Sequence, residues 1–223
     1  MTTRQEFREE YLREALSDTV AWPDATLNLW IEQAVIDYSQ YFPFETYGQQ
    51  DINSVTRQFS GEGGWAGSGT VLGVTRVEYP ADQDPPRYLL FKPETSEDFL
   101  DGPYYDIKEN WQIVIGETPT IGEVIRVRYI THHLRPALDG TTLSVPNAHL
   151  EALRLFVIWQ AAKELELNEA ANPDRTSIYL SLIGTSAMRA ERTYKAKIRE
   201  LQAIPGKGVY GGPWVMDGFD RVY

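Results

Sequence analysis

Residues 123–167 read EVIRVRYITHHLRPALDGTTLSVPNAHLEALRLFVIWQAAKELEL, and within them the chain passes from one structural period to another. Ile125, Val127 and Tyr129 alternate with Arg126 and Arg128, the step of two expected of a half-buried strand. A polar turn, ALDGTTLSVP at 137–146, separates that strand from a helical pattern over 147–167. Between Leu153 and Ala162 only Arg154 and Gln160 are polar. A helix this apolar has to be covered on most sides, by its own bundle or by neighbouring subunits.

Downstream, Asn172-Pro173-Asp174 breaks the chain and Thr176 is placed to cap a last helix. Tyr179, Ile183, Ala187, Ala190, Tyr194, Ile198 and Leu201 recur there at steps of three and four, a seam suited to antiparallel packing. The opposite side carries Arg189, Arg192, Lys195 and Arg199. Such a strip is either a solvated face favoured by the helix dipole or a cationic surface for an acidic partner. The segment 205–223, PGKGVYGGPWVMDGFDRVY, holds five glycines and two prolines interleaved with Tyr210, Trp214, Phe219 and Tyr223. Glycine and proline disfavour a local helix. Burying four aromatics does not by itself offset the entropy of ordering that many backbones. The segment therefore either folds back on its own domain or docks on a partner.

Upstream, Phe7, Tyr11, Leu12, Ala15 and Leu16 mark a helix over 3–17 with a narrow apolar stripe. After Trp22-Pro23, Asp24 is the expected N-cap of a second helix. Leu27, Trp30, Ile31, Ala34, Tyr38 and Tyr41 line one side of it, and it ends before Pro43. Four helical segments thus bracket a strand-rich middle, 46–146. Strands are expected at Thr75–Tyr79, at Trp111–Ile115 and, shorter and more buried, at Tyr88–Phe91. Connections too short for crossover helices favour antiparallel pairing.

Composition narrows the function. Among 223 residues, 42% hydrophobic and 12% aromatic content describe a globular chain. No apolar run is long enough for a membrane span, and the charged opening MTTRQEFREEYLREALSD is unlike a secretory leader. The absence of cysteine removes thiolate metal sites and thiol nucleophiles, and suits assembly in a reducing cytoplasm. Net charge is −11: residues 1–50 carry 3 basic and 9 acidic side chains, 51–143 carry 8 and 14, and 144–223 carry 10 and 9. That balance opposes tight attachment to a phosphate backbone.

Candidate chemistry is sparse. Gly61–Gly69, GEGGWAGSG, lacks the Lys-Ser/Thr and helix of a phosphate loop, and reads as a mobile loop with Trp65 at its tip. His132 and His133 are adjacent on a strand and point to opposite faces, so turn and cap roles are expected for them and for His149 rather than metal ligation. Asp98, Asp101, Asp106 and Glu109 are acids without a catalytic pattern. Trp65, Tyr88, Tyr104, Tyr105 and Trp111 would suit a carbohydrate- or receptor-binding β module as readily as a core.

The order of elements, YSQYFPFE at 38–45, a β-rich insertion, EVIRVRYITHHL, the apolar helix and a long mixed-charge final helix, resembles the head-to-tail adaptor family of tailed bacteriophages. The likeness is strongest over 123–203. It implies an α+β protein: a helical bundle core (1–45 and 147–204), an antiparallel β domain (46–146) inserted between helices 2 and 3, and an extended C-terminal arm (205–223). It further implies a ring, typically dodecameric, beneath the portal protein, with tail or nozzle proteins below and DNA passing through without specific binding. Such a protein is assembled in the host cytoplasm and resides in the virion. Portal binding would rest on Val209, Tyr210, Trp214, Val215, Phe219 and Tyr223, with Arg189, Arg192, Lys195 and Arg199 as an accessory strip. The resemblance brings no catalytic residue, cofactor or metal.

Overall fold

A computed structural model describes residues 2–66, 70–171 and 177–203, with side chains left aside at 62, 101 and 177–183. The chain is α+β and divides into two units. One comprises 1–42 and 133–223, and the other 43–132.

In the first unit, α1 (Arg4–Glu6) runs straight into a π-helical turn, Phe7–Leu12. Its start is fixed reciprocally: the Glu6 amide donates to Thr3 Oγ1 at 3.2 Å, and the Thr3 amide donates to Glu6 Oε2 at 2.8 Å. The helical stretch stops at Leu12, short of the expected 17. Helix α2 spans Asp24–Tyr41 and has Pro23, not Asp24, at its N-cap. Proline's fixed φ suits a helix entry, and the Asp24 carboxylate instead takes ion pairs from Arg13 and Arg8. A 3-10 turn, Asn147–His149, leads into α3 (Leu150–Ala170), and α4 spans Ser177–Gln202. Thr176, expected to cap α4, lies outside the described residues.

Leu27, Trp30, Ile31, Ala34, Val35 and Tyr38 of α2 form one core with Leu150, Leu153, Phe156 and Val157 of α3 and Tyr194, Ile198 and Leu201 of α4. The apolar helix therefore finds most of its cover within its own unit as far as Ala161. Beyond it, Leu165 and Leu167 are exposed.

Residues 133–146 belong to this helical unit, although their place in the sequence suggests the β domain. Leu143 and Val145 are buried in the helical core. The His133 amide donates to Ser39 Oγ at 3.0 Å, and its ring bonds through Nε2 to the Phe42 carbonyl and through Nδ1 to Ser144 Oγ, each at 2.9 Å. Asp139 accepts from Arg4 Nη2 at 2.9 Å and Arg8 Nη1 at 3.0 Å. Apart from Ser144 these partners lie far away in sequence, so the local composition of 133–146 does not reveal them.

Among its described residues the second unit holds seven strands: β1 (Phe44–Asp51), β2 (Gln58–Phe59), β3 (Val71–Glu78), β4 (Leu90–Phe91), β5 (Tyr104–Ile107), β6 (Ile113–Ile115) and β7 (Val124–Thr131). They form a three-stranded sheet, β1-β7-β3, and a four-stranded sheet, β2-β6-β5-β4. Pairing is antiparallel except between β4 and β5, which run parallel. The linking segment 92–103, which contains a 3-10 turn at Phe99–Asp101, is long enough to return the chain without a crossover helix. Ile125, Val127 and Tyr129 are buried as their alternation predicts. On the other side of β7, Arg126 pairs with buried Glu78 at 3.0 Å and also with Asp82.

Trp111, expected to begin a strand, lies in the 3-10 turn before β6, and two further expectations for this unit fail. Of Tyr88–Phe91 only Leu89 is buried; Leu90 is 62% exposed and Phe91 52%. β4 is the edge strand of its sheet, with β5 as its strand partner. Trp65 is not a loop tip but a core residue, 2% exposed, set edge-on to Tyr129 at 5.2 Å between ring centres. Its π-helical turn, Gly61–Trp65, lies against β1 at Gly48. A Cβ at Gly48 would stand 1.5 Å from the Trp65 carbonyl oxygen, so only glycine admits this approach.

Candidate interaction surface on the final helix

Helix α4 presents two contrasting faces. Ala187, Tyr194, Ile198 and Leu201 of the expected seam are buried and Ala190 is half-buried. The side chains of Tyr179 and Ile183 lie outside the described residues. Tyr194 anchors the helix. Its ring stacks on Trp159 at 5.9 Å and meets Phe156 edge-on at 5.4 Å, and its hydroxyl donates to Asp37 of α2. Burial first, and the Asp37 carboxylate second, push this phenol far above its ordinary pKa, so it acts as a permanent donor.

Away from that seam, Arg189, Arg192, Lys195 and Arg199 are all exposed. At 3.6 residues per turn they span about a third of the helix circumference. Met188 falls in the same arc and is 53% exposed. Lys195 donates to Glu191 at 2.5 Å, which raises its pKa. Lys197, beside the strip, donates to Glu200 at 2.7 Å. Arg189, Arg192 and Arg199 form no side-chain ion pair among the described residues. Three exposed guanidinium groups thus have no ion-pair partner among the described residues.

The arm residues Val209, Tyr210, Trp214, Val215, Phe219 and Tyr223 lie outside the described residues. The candidate groups of the β unit have internal employment. Trp65 and Tyr105 are buried. Arg76 lies over the ring of Tyr88 at 5.3 Å and Lys92 over that of Tyr104 at 4.4 Å, so one face of each tyrosine already carries a cation. A sugar ring stacking there would have to displace it. Among the acids, Asp98 pairs with Lys92, and that hydrogen bond holds its carboxyl below the usual range. Asp106 accepts from the Glu94 amide at 3.0 Å and from Lys108 at 3.2 Å. Glu109 lies in a 3-10 turn, Glu109–Trp111, and the Asp101 side chain is outside the described residues.

Strand β7 ends at Thr131, so His132 and His133 follow the strand and do not lie on it as expected. His133 is buried and His132 half-buried. His149 stands at the N-cap of α3, the expected kind of position, though its side chain makes no capping bond; the ring is packed inside, with Nδ1 2.5 Å from the Tyr38 hydroxyl and edge-on to Phe42 at 5.3 Å. Burial raises the Tyr38 pKa well above its usual value, which suits a donor to that imidazole. Among the described residues no group of three His, Asp or Glu side chains is placed to hold a metal ion, and no helix is long and apolar enough to cross a membrane.

No protein-family model matches the chain, and no curated protein matches it.

Proposed function

We propose that this chain is a virion structural protein, a head-to-tail adaptor that forms a ring beneath the portal of a tailed bacteriophage, retains packaged DNA and attaches tail components. The observation that carries the reading is the discontinuous helical unit. Residues 2–42 and 133–203 share one core around a strand-rich segment, and the last helix leads directly into the glycine- and aromatic-rich residues 205–223. That is the order of parts in the adaptor family.

In this reading the arm docks on the portal through Val209, Tyr210, Trp214, Val215, Phe219 and Tyr223. Portal contacts supply the burial that the segment needs in order to become ordered. Twelve copies around one axis make many weak arms act together. A net charge of −11 keeps DNA from adhering as it passes. The exposed Leu90, Phe91 and Leu100 of the β unit are suited to tail proteins.

Truncation after Ile204 is the test. The shortened chain is expected to keep its far-ultraviolet spectrum and melting behaviour, yet fail to join portal-bearing particles that lack the native adaptor. Undiminished incorporation of the truncated chain would reject the reading.

A further inference from the structure

The cationic strip of α4 has a counterpart in the same unit. On the first helical segment and the turn after it, Glu9, Glu10, Glu14 and Asp18 are exposed. Its basic residues face elsewhere: Arg4 and Arg8 are buried against Asp139, and half-buried Arg13 pairs with Asp24. Glu9 accepts from Gln5 at 2.9 Å and Asp18 from the amides of Val20 and Ala21, bonds that leave their charge intact. Glu10 and Glu14 make no ion pair among the described residues. This surface is therefore acidic without an exposed basic neighbour of its own, whereas the α4 strip is basic with most of its charge unspent.

Among the described residues no ion pair joins the two surfaces within one chain. Helix α4 packs on α3, and the first helical segment packs on α2 and α3. From Arg189 to Arg199 the strip runs about 15 Å along its helix, at 1.5 Å per residue, while the acids extend from the helical turn Phe7–Leu12 into the residues that follow it. Exposed Met188 within the strip offers an apolar anchor beside the charges.

We propose that the α4 strip docks on the Glu9–Asp18 surface of a second copy of this chain. The two patches differ, so the contact is head-to-tail, and repetition gives either a closed ring or a filament. The proposal deepens the adaptor reading by naming the contact between neighbours. It rests on that reading for closure into a ring, but not for the pairing itself.

Sedimentation of the full chain against concentration, at about 50 mM and about 500 mM salt, tests it. Association is expected at low salt and should weaken about tenfold or more at high salt, as the screening length shrinks. Two charge-reversed chains follow, Arg192→Glu with Arg199→Glu, and Glu10→Lys with Glu14→Lys. Each alone should remain monomeric, because like charges then meet. Mixed together they should associate again, since every patch regains an opposite partner, and this rescue also shows that both variants are folded. A monomeric parent chain at low salt, a strip variant that associates unchanged, or a mixture without rescue would each overturn the pairing. The adaptor reading fails separately, if the arm-less chain enters portal-bearing particles.

Discussion

The helical unit and the β unit are held together in different ways. In the first, one continuous apolar core joins α2, α3 and α4, and a buried pair of arginines ties the loop 133–146 to the N-terminal helix through Asp139. Side chains carry the packing there: a Cβ at Gly140 would meet nothing within 4 Å, and one at Gly184 would meet only the end of the Glu166 side chain, at 2.9 Å. In the second, short strands are held by close backbone approaches. At Gly48 the chain admits the Trp65 carbonyl, and at Gly116 a Cβ would stand 2.0 Å from the Phe99 carbonyl oxygen. A core built from side-chain stripes tolerates small surface changes, whereas one built on backbone proximity concentrates its sensitivity at a few glycines.

The largest effect is therefore expected at Gly48. Gly48→Ala drives a methyl group into peptide backbone and should cost about 3 kcal/mol, the upper end for overpacking. Hydrogen exchange should locate the lost protection within 43–132. Gly140 of the helical unit, where an added Cβ meets nothing within 4 Å, is the matched control. Gly140→Ala should change stability by no more than about 0.5 kcal/mol. Equal costs at the two positions would break the contrast.

A smaller effect is expected at Asp139. The Arg8 guanidinium first, and Arg4 second, hold its carboxyl below the ordinary value of 3.8. A depressed folded-state pKa means that the native protein releases this proton more readily than the unfolded chain. The contribution is complete above the unfolded value and fades as pH falls from about 4 through the depressed pKa. Asp139→Asn should thus destabilise the helical unit at pH 7 and lose its effect near pH 2. Acid titrations of both chains, followed by circular dichroism, measure this. A penalty that persists undiminished at pH 2 would show that shape rather than charge matters at this position.

The same contrast explains what could be read in the sequence. The stripes of α2 and α4 and the alternation of β7 appear directly in residue spacing, because burial there follows a local period. The inward fold of Trp65 depends on a glycine in β1, and the exposure of Leu90 and Phe91 on their place at a sheet edge. Neither cause is local. The membership of 133–146 in the helical unit rests on Arg4, Arg8 and Ser39, more than ninety residues away. Within the candidate surface, the spacing of Arg189, Arg192, Lys195 and Arg199 places the strip on one side of α4. Its complement at Glu9, Glu10, Glu14 and Asp18 emerges only once the arginines of the first helix are found facing inward.

The proposed function requires assembly around an axis shared with a portal. Electron-microscope projections of the full chain mixed with portal rings test it most directly. A closed ring with a central hole, stacked coaxially on the portal, is the predicted result. Separate particles of single copies, with bare portals beside them, would contradict it.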